Sequence, residues 1–420
     1  MKRFLVIFAI TFFSGLVHGQ DIDYARSIIE NLTAPEMHGR GYVNKGDKLA
    51  AQYLKTEFSG LGLQKFGDDY HQSFTHSVNT YPGKMEIQLD GTALVPGKDF
   101  IIDPSSPGFF GTFDLYWFDD LVLKTEKEIQ KFVKKTDQFK FIVVLEQDIK
   151  KGEQRRLLDA AVKAYMARGI IIVREKLTWG VSPGMGRYPV VEIQKDKISK
   201  RSNKLNIEIE CLHIPKYESQ NIIGYVPGIQ ADSFIVFTAH YDHLGRMGAE
   251  TYFPGANDNA SGSAMILDLA KHYTNATDTP NYSMVFIAFA AEEVGLAGSK
   301  YYTENPKFPL KKIKFLINLD LMGNGVDGIT VVNGTEYKSE FETLVEINAK
   351  DSLVKEVKIR GKAQNSDHYF FTEKGVPSFF IYTLGGSKAY HDVFDTVDNL
   401  ALSEYEDVFR LLTRFVSTIH

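Results

Sequence analysis

Apolar residues recur along this chain in two rhythms, and their succession predicts alternating helices and strands. Between Asp23 and Gln72 the spacing is helical. DYARSIIENL runs to the neighbourhood of Pro35, and GDKLAAQYLKTEFSGLGL repeats apolar residues at Leu49, Tyr53, Leu54 and Phe58 before glycines stop it. From about Tyr81 to Lys204 the texture changes to short strand-like pieces (KMEIQL, FKFIVVL, GIIIV, YPVVEI) broken by Gly and Pro, with one helix predicted at GEQRRLLDAAVKAYMARG. After NIIGYVPG a regular alternation sets in: strand SFIVFTAHYDH, a helix from Ser261 to Tyr273, strands YSMVFIAFAA, IKFLINLDLMG, GITVVNG and PSFFIYTLG, then a helix from Leu402 to Ile419.

Runs that are apolar on both faces and linked by helices belong in a sheet covered on both sides. The expected fold class is α/β, a mixed and largely parallel sheet sandwiched by helices, with a smaller inserted β-rich α/β module. Residues 20–80 and 212–420 form the main unit in this reading, and 81–211 the insertion.

Composition narrows the function classes. A chain of 420 residues with 44% hydrophobic and 24% charged residues can bury a large core. A net charge of -5, with no long run of Lys or Arg, argues against a nucleic-acid partner. The first nineteen residues read as an export signal: Lys2 and Arg3, an apolar core from Phe4 to Phe13, then Val17 and Gly19 ahead of a cut before Gln20. The mature protein is therefore expected to be exported, periplasmic or secreted, with no stable membrane insertion. Cys211 is the only cysteine, which rules out an intramolecular disulfide and any zinc site that needs two thiolates. A metal would have to be held by His, Asp and Glu.

Those residue types gather at strand ends, where ligands bind in open α/β sheets. SFIVFTA ends in His240, Tyr241, Asp242 and His243; MVFIAFAA ends in Glu292 and Glu293; FLINL ends in Asp320. PSFFIYTLGG is followed by Tyr390, His391 and Asp395, and PGANDNASGSA puts Asp258 in a turn ahead of a helix. Two His and three carboxylates suit Zn²⁺ in a hydrolytic site and could accept Mn²⁺ or Co²⁺. Two divalent ions, three ligand carboxylates and one bridging hydroxide give a neutral set. One of the adjacent glutamates is then free to act as base beside the bridging water while the other binds metal.

The segments HYDH, GANDNASG, AAEEVGLAGS, NLDLMG, SDHYFF and YHDVFDT resemble the M28 family of zinc aminopeptidases and occur in that family's order. The resemblance covers roughly residues 23 to 80 and 212 to 420, including GRGYVNKGDKLAAQYL. It implies two zinc ions per chain, with His240 and Asp320 on one, Glu293 and His391 on the other, and Asp258 bridging. It makes Glu292 the general base and Asp242 the carboxylate that fixes the ring of His240. Asp395, four residues after His391, reads from its position as either a supporting partner of His391 or a turn residue. The resemblance also implies a cis peptide bond between Asp258 and Asn259. The inserted segment is similar in position and texture to a protease-associated domain. One departure is visible: some family members place a tyrosine before SDH, whereas Ala363, Gln364 and Asn365 stand here, which leaves Tyr382 and Tyr390 as candidates to polarise the carbonyl.

The function so implied is an exported di-zinc aminopeptidase acting on peptide N-termini, with metal-bridged hydroxide as nucleophile. A carboxypeptidase of the same fold would need arginines to clamp a terminal carboxylate, for which Arg246 and Arg360 are candidates. A glutaminyl-cyclase-like transferase would share the sheet but differ at the bridging-Asp segment, and a receptor-like relative would lack the ligand set. His243, His272 and His368 read as ordinary histidines, the first and last of them able to line the site without binding metal, and Asp367 reads as a helix cap or a group that touches the site. Neither the preferred N-terminal residue nor the oligomeric state is written in the sequence.

Overall fold

The computed structural model describes residues 21–117, 127, 140–146 and 168–420. The export signal and residues 152–167 of the helix expected at 152–169 lie outside the described residues, while Gly169, its last position, begins a strand instead.

The main sheet has eight strands: β1 (His71–Thr80), β2 (Leu212–Val226), β3 (Gln230–His240), β4 (Tyr282–Phe289), β5 (Ile313–Asp320), β6 (Gly328–Val332), β7 (Val357–Ile359) and β8 (Ser378–Leu384). Their order is β1-β2-β4-β3-β5-β8-β6-β7. The central four, β4-β3-β5-β8, are mutually parallel, while β1/β2, β2/β4 and β6/β8 pair antiparallel. The sheet is thus mixed, with its parallel part in the middle.

Side chains of the central strands alternate between two apolar layers, as a strand's period of two requires. Ile235, Phe237, Met284 and Phe286 join one layer, and Val236, Val285, Ile287 and Phe289 the other. Helices α1 (Ile22–Thr33), α2 (Gly46–Gly60), α3 (Gly262–Thr274), α5 (Lys338–Asp351) and α7 (Tyr405–Ser417) cover the first layer, while α4 (Ala297–Glu304) and α6 (His368–Glu373) supply Tyr302 and Phe371 to the second. In α1 the Asp21 side chain caps the Tyr24 amide at 3.0 Å, and Ala25, Ile28, Ile29 and Leu32 are buried at helical spacing.

The N-terminal helical pattern, expected to reach Gln72, ends earlier: α2 stops at Gly60 and β1 begins at His71. Helices α4 and α5 fill intervals for which the pattern had supplied strands alone. Antiparallel β1 and β2 run into a second sheet of eight strands. Its order is Thr92–Leu94, Met85–Leu89, Lys204–Ile209, Phe109–Trp117, Phe141–Leu145, Gly169–Arg174, Val190–Gln194, Phe100–Ile102. Among the described residues no helix is long and apolar enough to cross a membrane.

Candidate metal centre

Because β3, β4, β5 and β8 are parallel, their C-terminal ends share one edge, and the site is built there. His240 ends β3 and Asp320 ends β5; Glu292 and Glu293 follow β4, His391 follows β8, and Asp258 lies in the turn before α3. Three residues beside these groups, Ala291, Leu321 and His391, hold φ values of 58°, 55° and 52°. The left-handed region costs roughly 1–3 kcal/mol for a residue with a Cβ, so the chain is bent sharply at each point where a functional group turns inward.

His240 Nε2 lies 3.4 Å from Asp258 Oδ1 and 3.4 Å from Asp320 Oδ2. His391 Nε2 lies 3.0 Å from Asp258 Oδ2 and 3.5 Å from Glu293 Oε2. Asp258 therefore presents one oxygen to each half of the cluster. Behind each ring the other nitrogen meets a backbone carbonyl: His240 Nδ1 is 3.1 Å from the Asp242 oxygen, and His391 Nδ1 is 2.9 Å from that of Trp179. A carbonyl only accepts, so both rings carry a proton on Nδ1, and Nε2 of each faces carboxylate oxygens.

Imidazoles and carboxylates packed at 3.0–3.5 Å need positive charge between them, supplied by a proton on Nε2 or by a metal ion in its place. Asp320 Oδ1 is also buried without a hydrogen-bond partner, a second mark of a site made for an ion. His240, Asp258 and Asp320 bring ligand atoms within 4.8 Å of one another, and so do His243, Asp258 and Glu293. His243, expected either to be ordinary or to line the site, stands beside these groups. Its Nδ1 lies 2.9 Å from Glu293 Oε1, where it steadies that carboxylate while His391 faces the other oxygen. This all-His-and-carboxylate set fits a divalent metal such as zinc.

The supporting hydrogen bonds differ from those the sequence implied. Asp242 does not fix the ring of His240 through its carboxylate, which is 4.0 Å from Nδ1; it accepts the amides of Glu292 at 3.1 Å and Glu293 at 3.3 Å and the Tyr42 hydroxyl at 3.1 Å. Asp395 supports the Asp258 turn instead of His391, accepting the amides of Asn257 at 2.9 Å and Asp258 at 3.0 Å. The peptide bond between Asp258 and Asn259 is cis. Asp367 stands at the N-cap position of α6 without capping it; it is fully buried, with His240 and Asp320 as its electrostatic neighbours. His368 is buried against Phe380, away from the cavity lining.

Arg40 is the residue that sequence reasoning missed. It is 0% exposed, and its guanidinium donates to the carbonyls of Tyr241 (2.8 Å), Leu32 (3.0 Å), Pro254 (2.6 Å), Gly255 (2.7 Å) and Asp258 (3.2 Å). Gly255 has φ 63°, and a Cβ there would come within 2.6 Å of Arg40 Nη2, so glycine lets the turn close on the guanidinium. Arg40 grips the Asp258 turn by its carbonyls while Asp395 grips it by its amides.

Electrostatics follow from burying so many acids together. Burial opposes the charged ring of His240, but Glu292, Asp320 and Asp258 outweigh it and hold its pKa well above the ordinary histidine value. Burial, reinforced by Glu293, Asp367 and Asp320, raises the Glu292 carboxyl well above the usual range. Burial works the same way on Glu293, yet His391 and His243 keep that group low. Burial lowers Arg40 to about 10 despite Asp395 and Asp258.

A cavity of about 230 Å³ opens onto the cluster. Besides His240, Asp258, Glu292, Glu293, Asp320 and His391 it is lined by Leu321, Arg360, Asn365, Phe380, Tyr382 and Tyr390. Both tyrosines nominated by the sequence are thus at hand, and Tyr390 stacks on the His391 ring at 4.1 Å. Of the two nominated arginines, Arg360 lines this cavity and Arg246 does not.

Residues 221–416 match the model of Peptidase family M28. Aminopeptidase YwaD of Bacillus subtilis (strain 168) is 27% identical over 269 residues, 60% of this chain and 57% of that protein. Leupeptin-inactivating enzyme 1 of Streptomyces exfoliatus is 32% identical over 158 residues, 37% of this chain and 34% of that protein. The chain thus matches between about a third and a little over half of the length of these relatives. Among solved structures, a zinc aminopeptidase from Bacillus subtilis superposes with a TM-score of 0.68 at 22% identity over 94% of each chain, which establishes a shared fold.

Proposed function

We propose that this chain is a di-zinc metallo-aminopeptidase of the M28 type that releases amino acids from peptide N-termini. The observation that carries the reading is the pair of imidazole Nε2 atoms converging on the Asp258 carboxylate, each with a further carboxylate beside it, on a chain whose residues 221–416 match that family. His240 and Asp320 would hold one ion, Glu293 and His391 the other, with Asp258 between them. Bound divalent cations supply Lewis-acid polarisation of the scissile carbonyl and lower the pKa of water.

The chain supplies the rest. Glu292 borders the cavity, and its carboxylate makes no hydrogen bond to another described residue, so an oxygen is free to take a proton from the attacking water and pass it to the departing amine. The amides of Glu292 and Glu293, held by Asp242, fix that carboxylate against its neighbour. The name of the Bacillus relative supports an aminopeptidase over a carboxypeptidase. We propose in addition that residues 1–19 direct export, to the periplasm or the medium, and that 81–211 form a protease-associated-like insertion.

The test is purified protein, assayed with and without chelator, on a panel of aminoacyl-anilides and N-blocked peptides. Chelator-sensitive cleavage of free-amine substrates is expected, with about two zinc ions per chain by elemental analysis. Cleavage of N-blocked substrates alone would reject an aminopeptidase.

A further inference from the structure

Arg360 is the one cation in the cavity lining that the metal cluster does not use. It follows β7, where its amide donates to the Val331 carbonyl at 2.9 Å, so its backbone is anchored to the sheet. Among the described residues its guanidinium forms one hydrogen bond, to Tyr382 Oη at 3.3 Å, and no ion pair. Arg360 is exposed, so its remaining donors face solvent, and the five N–H groups of a guanidinium form a fork that matches a carboxylate able to displace that water.

The neighbours sharpen this. Phe380 and Leu321 give the cavity an apolar wall, while Tyr382 and Asn365 add polar groups that can contact one bound side chain. Every carboxylate in the lining is a proposed ligand or the proposed base. None is left to neutralise Arg360, and a volume of about 230 Å³ admits little more than one residue of a substrate.

We infer that Arg360 binds a carboxylate of the substrate. This inference rests on the peptidase reading above. The carboxylate has two possible sources: the side chain of an acidic N-terminal residue, or the C-terminal carboxylate of a very short peptide. A neutral isostere lacks the charge in each case, which gives the experiment two arms.

Wild type, Arg360→Met and Arg360→Lys are loaded with zinc, and kcat/KM is measured for Glu- and Gln-anilides and for Leu-Gly and Leu-Gly-amide. Wild type is expected to favour the charged member of one pair by about tenfold, as a charge-assisted bidentate contact would, and Arg360→Met to bring that ratio near one. Arg360→Lys should fall between them. The arm in which the ratio falls names the source. Unchanged ratios in both arms, with wild type active, overturn the role of Arg360 and leave the peptidase reading intact. A readout without turnover separates the two failures: calorimetric binding of glutamate against glutamine, and of Leu-Gly against Leu-Gly-amide. A charge preference lost in Arg360→Met supports the inference even if no substrate is cleaved, and equal affinities in both proteins overturn it.

Discussion

Replacing Arg40 with methionine removes the guanidinium while keeping a linear apolar stem of similar reach. Five donors vanish, and every acceptor they served is a backbone carbonyl in the interior. At about 1 kcal/mol net per hydrogen bond the loss approaches 5 kcal/mol. The neighbouring acids Asp395, Asp258, Asp242 and Glu293 also lose a buried cation. Against this, a buried charge no longer has to be desolvated, which returns part of the loss. Breaking one side of a buried charged arrangement typically leaves about 3–5 kcal/mol of destabilisation. In a chain of this size, at about 2 °C per kcal/mol, the melting temperature should drop by roughly 6–10 °C. The assay is scanning calorimetry on chelator-treated protein, because bound ions would add their own stabilisation by mass action. Arg40→Lys keeps the charge but has three donors and no fork, and should recover less than half of the drop. A shift under about 2 °C for Arg40→Met, or a lysine variant equal to wild type, would show that the fork does not hold the Asp258 turn.

Glu292→Gln is expected to lower kcat by about 10²–10⁴ while zinc content stays at the wild-type level; loss of zinc on that change would make Glu292 a ligand. Asp47 gives a pH signature remote from the metal site. Burial raises its pKa to about 6 against the opposing hydrogen bonds from Tyr217 and Ser219. Its native pKa lies above the unfolded value of 3.8, so the stability it contributes is fully present below pH 3.8 and is lost as pH rises through about 6. That gap corresponds to roughly 3 kcal/mol. The stability of Asp47→Asn relative to wild type should therefore climb by about this amount between pH 4 and 7 in urea titrations, and a difference that does not vary with pH would refute the assignment.

The cluster was legible because its residues end strands that are buried on both faces. Such strands are continuous apolar runs in sequence, and an acid or histidine at their close stands out, as with His240 after SFIVFTA and Asp320 after FLINL. What was hidden depends on backbone groups, which no side-chain pattern encodes. Asp242 and Asp395 were recognised as supporting carboxylates, but their acceptors' partners are main-chain amides, so their targets were misassigned. Arg40 sits between two glycines and reads as a surface residue until five carbonyls are seen to converge on it. Strand β1 escaped because Gln72 and Asn79 are buried polar residues that break its alternation, satisfied by Asn221 and by the Pro104 and Ser106 carbonyls. Helix α5 buries only Phe341 and Leu344, too thin a stripe to announce itself.

Trp179 donates its amide to the His391 carbonyl at 2.8 Å and accepts from that ring at 2.9 Å, while its indole donates to the Ile102 carbonyl and packs on Phe253. One imidazole of the candidate metal site is thus seated on chain 212 positions away, from the strand layer that does not carry the other candidate ligands. An engineer who transplanted residues 212–420 alone into another scaffold would bring along the loop that bears His391 but leave its seat behind. Any minimal version of this site has to keep the stretch around Trp179, however dispensable the remainder of that layer proves to be.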